Sequence, residues 1–198
     1  MAGRRAWVER ITGETAVSVT VTLAPGECRV ATGVGTLDHL LAVLAHHGGF
    51  GLEVEARSDL QVDAHHTVED VGTTIGQALE QALGDRAGVA RFGFAYAPRD
   101  EALARAVVDL SGRPYCRFEV PHEMLRAWVT PQVSITSIGA FFQALASRGK
   151  FAFHLDLERG VDAHHAAEAL FRAAALALRQ AVALVGAEAP PAKGKLAT

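Results

Sequence analysis

Cysteine is scarce: Cys28 and Cys116 are the only two thiols in 198 residues. Two distant thiols cannot frame a disulfide-stapled fold, and they lack the close pairing of a thiolate zinc site, so nothing points to an oxidising compartment. Net charge is low as well. A formal charge of −3 supplies neither the basic surface of a nucleic-acid binder nor a polybasic membrane patch. Long apolar runs are missing: Met1 to Arg10 is basic without an apolar core, and Ala173 to Val185 is interrupted by Arg179 and Gln180. No leader or membrane span is expected, and a cytoplasmic location is. The remainder is 49% apolar and 21% charged, in a length that suits one compact domain with a real core. Small-molecule chemistry is the class left in front, with neither nucleic acid nor membrane as partner.

What the chain does have is histidine, nine of them, and two pairs stand in matching surroundings. Asp63-Ala64-His65-His66-Thr67-Val68-Glu69 returns as Asp162-Ala163-His164-His165-Ala166-Ala167-Glu168, with five of seven positions identical. The match extends upstream, where Thr36 to Ala45 aligns with Ser137 to Ala146 and places Ala140 opposite His39, each 11 residues before a phenylalanine. One unit duplicated is the simplest account, since a solenoid needs three or more repeats. Residues 1–97 hold the first copy; residues 98–198 hold the second and an irregular tail beginning near Pro190-Pro191, all in one compact domain.

Periodicity gives each copy the same coarse structure. Thr15 to Leu23 alternates as a half-buried strand does, with Ala102 to Asp109 and Tyr115 to Val120 as weaker counterparts. An apolar helix follows, Leu37 to His46 or Ile138 to Ser147, stopped by Gly48-Gly49 or Gly149. A strand comes next, Leu52 to Ala56 or Phe151 to Leu157, and the histidine pair then opens a second helix, Thr67 to Leu83 or Ala166 to Leu184. The expectation is an α+β fold of order strand, strand, helix, strand, helix, duplicated, with sheets packed against helices.

On a helix, His65 and Glu69 share a face at i,i+4, whereas His65 and His66 diverge by about 100°. Adjacent histidines therefore serve two different ions more readily than one. Because the arrangement recurs at His164, His165 and Glu168, the natural construction is two metals, each taking ligands from both repeats. Imidazole and carboxylate without thiolate suit manganese, iron or zinc. His39, polar in an otherwise apolar helix, needs a partner and makes a good third ligand. His46 and His47 suit a helix C-terminus, where cations are favoured, while His122 and His154 read as solvated or structural.

Six segments carry a family resemblance. Thr32 to Leu40, Asp63 to Asp70, Arg91-Phe92-Gly93, Asp100 to Leu103, Asp109 to Tyr115 and Lys193-Gly194 resemble, in order, the imidazoleglycerol-phosphate dehydratase family of histidine biosynthesis. The resemblance implies a lyase that dehydrates imidazole glycerol phosphate to imidazole acetol phosphate, with two Mn²⁺ ions and a homo-oligomer of 24 subunits built from trimers. It implies His39, His65, His66, Glu69, His164, His165 and Glu168 as metal ligands. Glu14, Arg91, Arg113 and Lys193 are implied as substrate-contacting residues, and Glu14, His65 and His165 as the catalytic set.

The implied chemistry accounts for that collection. Dehydration requires loss of a poorly acidic C–H proton beside an imidazole ring, which an unaided carboxylate cannot achieve. Metal ions would act as Lewis acid and template, Glu14 as proton shuttle, and the arginines with Lys193 as the phosphate grip. Departures from the family pattern touch the same places. Ala140 replaces a ligating histidine or carboxylate, which predicts one weakened metal site; Pro191-Ala192 replaces hydroxyl residues, Arg99 a methionine and Thr36 a phenylalanine. The alternative these departures raise is a divergent paralogue with lost or altered activity that keeps the metal-binding assembly.

Overall fold

The computed structural model describes residues 4–58 and 63–186. Along the chain come β1 (Arg5–Ile11), β2 (Thr15–Thr22), β3 (Cys28–Ala31), α1 (Gly35–Gly48), β4 (Gly51–Ser58) and α2 (His65–Leu83). Then follow β5 (Phe92–Arg99), β6 (Ala102–Asp109), β7 (Tyr115–Glu119), α3 (His122–Leu125), β8 (Trp128–Thr130), β9 (Val133–Ser134), α4 (Ile135–Gly149), β10 (Ala152–Arg159) and α5 (Ala163–Ala181). Alternation makes β2 the centre of the first sheet, with Val17, Val19 and Val21 turned inward. It pairs antiparallel with β1 and β4, and β3 adds to β4 in parallel through the α1 crossover, giving the order β1-β2-β4-β3. The second sheet repeats this arrangement as β5-β6-β10-β7, again with one parallel pair made by a helical crossover.

The α+β class and the repeated strand and helix units agree with the sequence pattern, but each unit opens with three strands rather than two. The first-half strand β1 alternates Trp7 and Ile11 outward with Ala6 and Val8 inward, so the apolar code is blurred. In β5 the code is inverted. Phe92, Phe94 and Tyr96 face out while Gly93, Ala95 and Ala97 face in, because α5 lies so close that a Cβ on Gly93 would stand 2.0 Å from the Ala177 carbonyl oxygen. By sheet membership the halves separate between Leu83 and Phe92, and the 97/98 division passes through β5.

Helices fill the space between the sheets. The helix α2 covers β1 and β2 and α1 covers β3, while α5 covers β5 and β6 and α4 covers β7; across the middle α2 meets α4 and α1 meets α5. Gly72 and Gly76, one turn apart, let α2 approach α4 closely: an added Cβ would stand 2.6 Å from the Phe141 carbonyl oxygen and 2.5 Å from that of Leu145. No helix among the described residues is long and apolar enough to cross a membrane.

Candidate metal centre

The two copies of the Asp-Ala-His-His motif start helices in similar ways. The Asp162 carboxylate accepts the backbone N–H of His165 at 2.9 Å and caps α5, and Asp63 accepts that of His65 at 2.7 Å ahead of α2. With α5 begun at Ala163, His164 and Glu168 fall on one face, and the second turn of α1 brings His39 against them. Glu168 Oε1 lies 2.9 Å from His39 Nε2 and 3.1 Å from His164 Nε2. The two imidazole rings stack at 5.8 Å between centroids, tilted by 13°. All three ligand atoms lie within 4.8 Å of one another, the one such group of three among the described residues.

Glu168 is 4% exposed, so its second oxygen needs partners too. Oε2 accepts a hydrogen bond from Arg172 Nη2 at 2.7 Å and has Arg99 Nε at 3.1 Å. Burial raises the Glu168 pKa, but the His39 hydrogen bond, the Arg99 and Arg172 charges and the His164 hydrogen bond outweigh it, holding the carboxyl below the ordinary range. A buried carboxylate between two imidazoles with open outer edges can take a divalent cation on Oε1.

The matching place in the first half is thinner. His65 Nε2 stands 3.9 Å from Glu69 Oε2, both side chains about half exposed, and the position equivalent to His39 is Ala140. Alanine offers no donor. The second histidine of each pair turns elsewhere: His66 Nδ1 is 3.0 Å from Glu14, and His165 Nδ1 is 2.8 Å from Glu101. Each carboxylate immediately precedes the middle strand of its half, β2 or β6. Such a partner on Nδ1 favours the tautomer that leaves Nε2 for a ligand. Glu101 is further held by its other oxygen, which accepts the N–H groups of Asp162 and Val161 at 2.9 and 3.3 Å. The Asp162 N–H bond and the His165 bond bring Glu101 down to about 2, and the same pairing raises His165.

The sequence model for imidazoleglycerol-phosphate dehydratase matches residues 32–178. The chain belongs to the imidazoleglycerol-phosphate dehydratase family. It is 47% identical over 194 residues to the family's protein from Anaeromyxobacter sp. (strain Fw109-5), covering 98% of this chain and 94% of that one. The Halorhodospira halophila relative is 49% identical over 200 residues, covering 99% and 100% of the two chains. Among solved structures, the Staphylococcus aureus enzyme superposes with a TM-score of 0.81 at 33% identity, covering 91% of this chain and 99% of that one. The Pyrococcus furiosus enzyme, solved in complex with (S)-C348, gives 0.76 at 32%, covering 88% and 93%.

Two residues that the family resemblance marks for the substrate stand apart from the histidines. Arg91 precedes β5 and is held by Asp109, Nε to Oδ1 at 2.7 Å, and exposed Arg113 follows β6 at the same end of the sheet. The metal cluster adjoins Arg99 at the far end of β5, roughly 25 Å away along an eight-residue strand. Lys193, with Pro191 and Ala192, lies outside the described residues. Arg99, Glu101 and Arg172 were not among the expected site residues. Glu101 was detectable, because its place before β6 copies that of Glu14 before β2; Arg172 was hinted at by its i,i+4 spacing from Glu168. Arg99 drew notice only as a departure from the family pattern, and its contact with Glu168 depends on how β5 packs against α5. His154, on the sheet face turned from the helices, packs against Tyr115 at 5.3 Å between ring centroids and does not complete either set.

Proposed function

We propose that this chain is a metal-dependent dehydratase that converts imidazole glycerol phosphate to imidazole acetol phosphate in histidine biosynthesis. The observation that carries the proposal is the meeting of His39, His164 and Glu168 in a chain that matches the dehydratase family over nearly its whole length. Two imidazoles and a carboxylate without thiolate fit a divalent ion such as Mn²⁺, and His39, His164 and Glu168 would hold it. A bound ion would supply Lewis-acid polarisation of the substrate. The first-half set fits less well, with His65 and Glu69 but no third donor at Ala140.

The chain's own residues account for the remaining tasks. Glu14, on the β1–β2 turn and 67% exposed at its side chain, is free enough to exchange a proton with substrate. Arg91, Arg113 and Lys193 would hold the phosphate. Because Arg91 and Arg113 lie about 25 Å from the same chain's cluster, a substrate spanning both must take its phosphate contacts from a second copy. This supports a composite site in a homo-oligomer, which we take to be a 24-subunit assembly of trimers working in the cytoplasm. Incubating the purified protein with imidazole glycerol phosphate and Mn²⁺ should give imidazole acetol phosphate. No product at any metal concentration would overturn the dehydratase reading and favour the inactive paralogue.

A further inference from the structure

Positive charge already crowds the buried carboxylate of the metal cluster before any ion arrives, with exposed Asp100 at the rim, its Oδ2 3.6 Å from Arg99 Nε. Its single carboxylate, Glu168, faces two guanidinium groups on one oxygen, Arg172 at 2.7 Å and Arg99 at 3.1 Å. The two arginines are not equivalent. Arg172 donates a directed hydrogen bond to Oε2, comes from the same helix at i,i+4, and is anchored by a second bond from Nη1 to the Pro98 carbonyl at 3.3 Å. That anchoring suffices to orient the carboxylate. Arg99 arrives from the last position of β5, before the two-residue turn Asp100-Glu101, and its buried Nε makes no directed hydrogen bond despite the short distance. What Arg99 adds is charge.

We infer that Arg99 is a built-in counter-cation of the His39–His164–Glu168 site, competing with a divalent ion for Glu168 and keeping that ion weakly held. The inference rests on reading the cluster as a metal site. Glu168 has Oε2 committed to guanidinium groups, so only Oε1 is offered beside His39 and His164. A carboxylate that already faces two guanidinium groups attracts a further cation less strongly; Arg99 lies nearer to buried Glu168 than to exposed Asp100, and at this degree of burial solvent screens the repulsion only in part. Removing Arg99 leaves Arg172 to hold the geometry and removes one positive charge from beside the ligand. The site should then bind a divalent ion more tightly.

The test uses manganese alone, with the full chain and no substrate, reading free Mn²⁺ by electron paramagnetic resonance. Arg99→Met, of similar length and uncharged, should bind its first ion roughly tenfold or more tightly than the unmodified protein. Arg99→Lys, which keeps the charge, should stay close to the unmodified affinity. Adding His39→Ala to Arg99→Met should abolish the gain. The Arg99 side chain is about a third exposed at a turn, so these variants should fold. Equal or weaker binding by Arg99→Met overturns the inference, as does a gain that survives His39→Ala. Absence of manganese binding in every protein overturns the metal reading and the inference with it. Because turnover plays no part in the readout, a failed dehydratase assay alongside a tightened Arg99→Met site would separate the two readings.

Discussion

The two halves of the molecule share strand order, crossover and helix placement, yet they differ in what they bury and in what they offer a ligand. The second-half core is built around phenylalanine: Phe142 has the rings of Phe118, Phe141, Phe153 and Phe171 within 6.4 Å of its own. At the equivalent helix positions the first half has Leu40 and Leu41. The half with the heavier core also holds the buried carboxylate, Glu168, whereas Glu69 is half exposed. Duplication has kept the backbone plan and let the side chains specialise: the second-half pair meets His39 of α1 in a complete cluster, and the first-half pair lacks the donor that Ala140 of α4 would have to supply.

The largest effect should come from breaking the aromatic side of this contrast. Phe142→Ala removes the ring at the centre of four others and should cost about 4 kcal/mol of stability. Leu41→Ala, its first-half counterpart, should cost about 3 kcal/mol. Urea unfolding of the two variants measures both, and a larger loss for Leu41→Ala would show that the weight of the core lies in the other half.

Next in size is the carboxylate contrast. Glu168→Ala leaves two partly buried guanidinium groups facing each other and should cost about 2 kcal/mol, less than a fully buried pair because both arginines keep some solvent contact. Glu69→Ala should change stability by less than about 0.5 kcal/mol. Equal losses in thermal unfolding would mean that the two sites are energetically alike despite their different burial.

These comparisons also explain what could be read in advance. The repeat, the four long helices and the histidine pairs were legible because each has a period or an identity that a single strand of text preserves. The helix α5 ends at Ala181 rather than Leu184, and its alanine-rich stretch has no local stop signal. Four-residue β3 at a sheet edge is too short for a pattern to form. In β5 the large residues face outward because Gly93 must admit the α5 backbone, so its alternation reads backwards. The His39–His164–Glu168 meeting was legible only as three separate candidates, since the α1–α5 contact that joins them spans 129 residues. Arg99 shows the same limit from the other side: a substitution visible in sequence acquires a physical meaning only when its distance to Glu168 is known.

A smaller effect on the fold, though a clear one on metal content, is expected from restoring symmetry. Ala140→His gives the first-half set of His65 and Glu69 a third donor, as His39 of α1 does for His164 and Glu168. Bound manganese should rise from near one per chain toward two, with little change in melting temperature. Two ions of equal affinity in the unmodified protein would show that another side chain already fills the place of Ala140.

The smallest and most local expectation concerns Glu101, which holds a loop as well as a histidine. His165 is raised by its bond to Glu101, so that pairing contributes fully below the ordinary histidine value of 6.5 and is lost as pH rises through the raised one. Glu101 runs the other way: lowered to about 2, it contributes above its ordinary 4.5 and is lost only as pH falls through about 2. The pair is therefore intact from mildly acidic pH up to the raised value of His165, and across that span the proton on His165 competes with a metal. Glu101→Gln should return His165 in the metal-free protein toward its ordinary value and speed amide exchange at Val161 and Asp162, whose N–H groups lose a charged acceptor. Glu14→Gln, in the other half of the molecule, should leave those two amides unchanged. Histidine-selective NMR and hydrogen exchange give both readings. An unmoved His165, or amides equally affected by both variants, would place the origin of the shift in the Asp162 cap rather than in Glu101.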